Sequence, residues 1–201
     1  MKMVRHVDGA LGELLEWPAD AGQDGEVGNR QYRDLRSCSW DEAESALALE
    51  ERALRKGSPF TTLAPFLIDE GEYDPDDDDD ELALLEAEEP WHCLDVGVAA
   101  AVMALSAADC LPGTSCNGQP GHAEVHPLVV FRSVPERISV LLACAKEAKC
   151  GLINNENWPG TLILYADEIG PMVAFARHLL ARRDSLPKLA TPTDNEEDWA
   201  P

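Results

Sequence analysis

Apolar residues at helical spacing predict two helices within the first 57 residues. The leucines of Leu11–Leu15 lie on one side of the first, and the proline after Trp17 ends it, because a proline disfavours helix at the preceding residue. The second helix begins with a capping box, in which Ser39 and Glu42 each accept a backbone N–H at the other's position. Gly57 is a suitable stop, since glycine readily adopts the left-handed conformation that closes many helices.

Beyond Trp91 the pattern alternates between helix and strand. The predicted elements, in order, are an alanine-rich buried helix at 94–109, a short strand or turn at 113–117, a strand at 125–131, a helix after Ser133, strands at 152–154 and 161–166, and a final helix after Asp167. This α-β-β-α-β-β-α order predicts an α+β fold, in which an antiparallel or mixed sheet is backed by helices. An acidic, mainly helical N-terminal region precedes it.

Capping signals set the expected bounds of the last two helices. Ser133 and Glu136 match a second capping box, with Pro135 in the first turn, where its missing N–H costs little. We expect Gly151 to close that helix and Asp167 to cap the next one.

Composition divides the chain into four regions: a helical N-terminal region at 1–57, an acidic linker at 58–90, an α/β sandwich core at 91–184 and a flexible acidic tail at 185–201. The linker contains the run Asp76–Asp80. Adjacent carboxylates repel one another and no apolar side chain interrupts them, so we expect an exposed loop. The run lacks the spacing of an EF-hand.

Charge is the property furthest from average. The chain has 38 acidic and 16 basic residues, a net charge of −22, of which −17 precedes Pro90. Such a field disfavours direct binding to nucleic acid or anionic membranes and favours a basic partner, although solubility alone also explains it. The sequence has neither an apolar run of about 18 residues nor a secretory signal, so a cytoplasmic location is expected. Six cysteines in apolar contexts then predict buried thiols.

The glycine-rich segment from Cys110 to His126 has three interpretations. Cys110, Cys116, His122 and His126 supply the sulfur and nitrogen ligands of a tetrahedral zinc ion, although the close cysteine pair of a zinc finger is missing. Alternatively, His122 or His126 activates Cys116 as a nucleophile, with Asn117 or glycine N–H groups as an oxyanion hole. The interpretation we favour is a structural turn between a helix and a strand, with buried thiols.

Within this segment, Thr114–Gly118 resembles the S-S-C-S-G turn of wybutosine-synthesis proteins that act on tRNA. The likeness covers five residues and lacks the basic residue that follows that motif, so it implies no function for this chain. Nucleotide-binding glycine loops and the H-E-x-x-H motif of zinc proteases do not occur in the sequence.

These observations predict a non-enzymatic protein that binds a basic partner, such as an immunity protein, antitoxin or accessory subunit acting on a nuclease-like toxin. Asp76, Asp77, Asp78, Asp79 and Asp80 would provide charge, and Trp158, in a polar turn, would provide an apolar anchor. The alternatives are a zinc-binding or cysteine-dependent enzyme or regulator built on Cys110–His126, and a docking subunit of a bacterial defence complex.

Overall fold

The computed structural model describes residues 35, 38–58, 62–70, 90–119, 124–155 and 161–186. These ranges form the helices α1 (Trp40–Lys56), α2 (Leu63–Asp69), α3 (Ala99–Ala107), α4 (Pro135–Ala148) and α5 (Ile169–Leu180), and the strands β1 (Leu111–Cys116), β2 (Leu128–Arg132), β3 (Gly151–Asn154) and β4 (Leu162–Tyr165). Short 3₁₀ helices span Pro90–Cys93 and Arg183–Ser185. The helix predicted near Leu11–Leu15 lies outside the described residues.

The bounds of α1 confirm the predicted capping signals. Ser39 Oγ accepts the Glu42 N–H at 3.2 Å, and Glu42 Oε2 accepts the Ser39 N–H at 2.6 Å. The Ser39 hydroxyl and N–H lower the pKa of Glu42, because both donate to its carboxylate. Gly57 closes the helix in the left-handed conformation, with φ of +65°.

The four strands form one antiparallel sheet in the order β1-β2-β4-β3. The central register pairs Val129 with Leu164, and Leu164 with Leu152. A register shift between Pro112 and Thr114 interrupts the edge pairing of β1. The predicted α+β class, with an antiparallel sheet backed by helices, is therefore confirmed.

The helices pack in layers on one face of the sheet. Side chains of α3, α4 and α5 share a core with Val129, Phe131, Leu152, Leu162 and Leu164 from the strands. A second cluster joins α1 and α2 to the other side of α3. All nine residues of α3 are buried, so this helix lies inside the protein, between the sheet and α1.

Several predicted helix bounds are wrong. The buried helix begins at Ala99, since Asp95 forms an isolated β-bridge with Thr62 and residues 96–98 form a turn. Helix α4 has Val134 as its N-cap with no side-chain cap, and Ser133 Oγ instead donates to the Val134 carbonyl and accepts the Cys110 thiol. Helix α5 has Glu168, and not Asp167, as its N-cap.

Gly151, predicted to close α4, is the first residue of β3, and Lys149 closes the helix with φ of +64°. The residue that pairs with Gly151 across the sheet is Tyr165 of β4. A Cβ atom at position 151 would lie 2.2 Å from Cζ of the Tyr165 ring, so the ring covers the strand where glycine has no side chain. This cross-strand contact is the physical reason for glycine here.

We expect Gly151→Ala to lower the free energy of unfolding by about 1–3 kcal/mol, because the added methyl group displaces the Tyr165 ring. Gly170→Ala is the matched control: its Cβ meets no atom within 4 Å, and alanine favours a helix by about 0.5–1 kcal/mol. Urea unfolding of both variants measures the difference. Equal changes in the two variants would contradict the proposed contact.

Candidate functional site

The most unusual polar group in the described residues is the Glu50 carboxylate, which is fully buried with 0% of the residue exposed. Glu50 lies on α1 and reaches the beginning of α3. Oε1 accepts the N–H groups of Gly97 and Ala99 at 2.7 and 2.9 Å, and Oε2 accepts the N–H of Ala100 at 3.3 Å. The side chain of one helix therefore caps the N-terminus of another.

The burial of α3 explains why this cap is needed. The first N–H groups of any helix have no partner within it, and those of a buried helix cannot reach water. The N-cap residue Val98 has no side chain that could accept them. The Asp95 carbonyl accepts the Val98 N–H and shares the Ala99 N–H. The Glu50 carboxylate accepts the remaining N–H groups, those of Gly97 and Ala100. Its negative charge also interacts favourably with the positive end of the α3 helix dipole.

Burial raises the pKa of Glu50 to about 7, with a smaller contribution from the negative charge of Glu51, while the three N–H groups act in the opposite direction. No lysine, arginine or histidine of the described residues forms an ion pair with Glu50. Because the carboxyl group is sealed from solvent, it cannot contact a substrate. Its chemistry is limited to holding α3 and exchanging a proton.

Sequence reasoning missed Glu50, although its position gave a signal. Ala43, Ala46 and Ala53 are buried on one side of α1, and Glu50 falls on the same side, at seven residues after Ala43. A carboxylate within a stripe of small buried residues indicates a group with a partner inside the fold.

Two of the predicted zinc ligands, Cys110 and Cys116, lie at opposite ends of β1. Cys110 directly precedes β1 and Cys116 ends it, so six residue steps of an extended strand separate their Cα atoms by roughly 20 Å. Two thiolates on one zinc ion lie within about 5 Å of each other. His126 is half-buried, and His122 lies outside the described residues. The described residues contain no cluster of three or more histidine, cysteine or acidic side chains arranged for a metal.

The turn after β1 has mainly structural contacts. Asn117 Nδ2 donates to the Val96 carbonyl at 3.1 Å, and Oδ1 accepts the Gln119 N–H at 3.2 Å, so both ends of the amide hold the backbone. Gly118 has φ of +72°, and a Cβ there would lie 2.7 Å from the His126 carbonyl carbon. The Gly118 N–H donates to Cys116 Sγ at 3.4 Å. These contacts support the structural interpretation of the segment.

The buried thiols outside this turn are poor nucleophiles. Burial raises the pKa of Cys110 to about 11 and that of Cys150 to about 12, and it also raises the pKa of Cys144. A thiol with a raised pKa holds its proton at neutral pH and reacts slowly. All six cysteines are free of disulfides.

The sheet face opposite the helices, here called the outer face, is the second candidate. It is formed by Thr114, Leu128, Val130, Ile153, Ile163 and Tyr165, which the registers place on one side. None of them belongs to either core cluster of the described residues. Leu128, Ile153 and Ile163 are half-buried, whereas Val130 and Tyr165 are buried, so the part of this face that can contact a protein partner is limited to the three half-buried side chains and Thr114.

Acidic residues border one end of the outer face. Glu124 precedes β2, and Asp167 and Glu168 follow β4, and all three are exposed. Antiparallel pairing of Leu128 with Tyr165 brings these two chain segments to the same end of the sheet. Val125, 78% exposed, adds an apolar side chain there. The predicted partner-binding residues Asp76–Asp80 and Trp158 lie outside the described residues.

Comparison of this chain with family models, curated proteins and solved structures gives no match. Among the helices of the described ranges, none has the length and apolar character needed to cross a membrane.

We expect Glu50→Ala to lower the free energy of unfolding by about 3–5 kcal/mol, because it leaves buried N–H groups of Gly97 and Ala100 without an acceptor. Glu44→Ala is the matched control on the same helix. It removes an exposed ion pair with Arg183 and should cost under about 1 kcal/mol. Urea unfolding at pH 6 compares the two. A loss at position 50 as small as that at position 44 would contradict the capping role.

Proposed function

We propose that this chain is a non-enzymatic protein that binds a basic protein partner, as an immunity protein, antitoxin or inhibitory accessory subunit binds a nuclease-like toxin. The observation that carries the proposal is the charge of −22, which attracts basic surfaces and repels acidic ones. The described residues include 15 acidic and 10 basic side chains, a net charge of −5. The remaining −17 belongs to the other segments, which include Asp76–Asp80.

The outer face supports this proposal with a suitable surface. Partner binding needs an apolar centre that can be desolvated and a charged rim that guides the encounter. The apolar centre consists of the half-buried side chains of Leu128, Ile153 and Ile163. The charged rim includes the exposed Asp167 and Glu168. A partner that matches the outer face carries an apolar patch bordered by lysine or arginine. A second copy of this chain fits poorly, because it has the same strong negative charge.

The enzyme alternatives have less support. The separation of Cys110 and Cys116 by the length of β1 argues against one metal ion bound by both. Asn117, the amide donor expected for an oxyanion hole, is engaged by Val96 and Gln119. A docking role in a larger bacterial defence complex uses the same surface and charge, and it differs only in the partner's identity.

The test begins with capture of partners from the source organism by the tagged full chain at moderate salt. We expect one basic protein at a stoichiometric level. Asp76–Asp80 replaced by five asparagines should weaken its binding most, because that run has the highest local charge density. The purified partner then allows association rates to be measured.

For the outer face, we expect Asp167→Asn combined with Glu168→Gln to lower the association rate constant by about 3–10-fold at low salt, through weaker electrostatic steering. Asp69→Asn combined with Asp184→Asn removes the same charge from exposed positions on α2 and after α5, and is the matched control. Ile153→Thr combined with Ile163→Thr should mainly raise the dissociation rate. Equal effects of the two acidic pairs, or no basic partner at all, would contradict the proposal.

A further inference from the structure

Glu50 connects α1 to α3 through a group that can gain or lose a proton. We propose that Glu50 is a proton-sensitive latch: with its carboxyl group protonated, α1 is held firmly against α3, and ionisation of the group loosens α1 and α2 from the rest of the core. This inference does not depend on the identity of the partner.

The geometry sets two effects against each other. Three N–H groups and the N-terminal dipole of α3 stabilise a carboxylate. Complete burial destabilises it, since an ion loses its hydration and no cation of the described residues replaces that water. A protonated carboxyl group carries no charge and so avoids the cost of burying an ion. It still accepts N–H hydrogen bonds through its carbonyl oxygen.

The surrounding charges do not compensate for burial. Helix α3 has no titratable side chain, and the turn before it contributes buried Asp95, a further acid. On α1, the neighbouring Glu51 is paired with Arg177 of α5 at 2.5 Å, so that arginine is already engaged. Asp69 ends α2, and Glu70, which follows it, pairs with Lys56 of α1. The two arginines of α1 are engaged elsewhere, Arg52 over the Phe66 ring and Arg55 with Glu51. Glu51 is the one charge that acts on the pKa of Glu50, and it acts in the same direction as burial.

The direction of the pH effect follows from the pKa of Glu50, which burial raises to about 7 from an ordinary value of 4.5. The folded protein then holds this proton more tightly than the unfolded chain does. The stabilisation is fully present below pH 4.5 and is lost as the pH rises through 7. Over the physiological range the latch is partly open, and mild acid closes it.

The second cluster is the part of the fold that responds. It contains Leu63, Phe66 and Met103, each almost completely buried between α1, α2 and α3. Residues of this cluster become accessible if α1 separates from α3. Proteins open locally in contiguous cooperative units, and α1 with α2 is such a unit here.

The test measures urea unfolding of the full chain, Glu50→Gln and the control Glu44→Gln between pH 5 and 8. Glutamine keeps the shape and the acceptor oxygen but cannot ionise. We expect the unfolding equilibrium constant of the unaltered chain to rise about 70-fold relative to Glu50→Gln over this range. Glu44→Gln should follow the unaltered chain, and every other ionisable group is present in all three proteins. Parallel profiles for the unaltered chain and Glu50→Gln would overturn the proposal.

A second measurement needs no variant to fold. The ¹³C shift of the Glu50 carboxyl carbon, followed by NMR in the unaltered protein, reports its ionisation directly. A midpoint above pH 6 supports the latch. A midpoint at or below 4.5 would show that the three N–H groups outweigh burial, and it would overturn the proposal.

Discussion

The structure depends on a helix that is buried on every side. Helix α3 separates the sheet from α1, and such a position is possible only if its first N–H groups find acceptors inside the protein. Glu50 provides them from the neighbouring helix. One side chain therefore holds the N-terminus of the innermost element and joins the outer helical layer to the sheet layer.

This arrangement explains features that otherwise look unrelated. Alanines at 43, 46 and 53 let α1 approach α3 closely enough for a glutamate to reach its backbone, and alanines dominate α3 itself. Close packing buries the carboxylate completely, and burial raises the pKa of Glu50. The same tight packing that brings Glu50 to the N-terminus of α3 makes the strength of this cap depend on whether the carboxyl group is protonated.

The sequence predicted the elements better than the contacts between them. Ser39, Glu42 and Gly57 define both ends of α1 through local hydrogen bonds, and local rules therefore found them. Ser133, Gly151 and Asp167 also fit local rules, but tertiary contacts decided their roles: Ser133 contacts Cys110, and Gly151 makes space for Tyr165. The Glu50 cap joins residues about fifty positions apart, which no local pattern reports. The short spacing of Cys110 and Cys116 suggested a zinc site. That spacing does not reveal that the residues between them form an extended strand, which holds the two cysteines apart.

Hydrogen exchange of the Ala99 and Ala100 amides tests this account most directly. Amides in the first turn of a helix usually exchange fast, because nothing within the helix accepts them. Here we predict that at pH 5, where Glu50 is protonated, both exchange only through global unfolding, at the same free energy as the amide of Met103 in the middle of α3. Exchange at the rate of an unprotected loop amide would contradict the claim that Glu50 holds this helix from within the core.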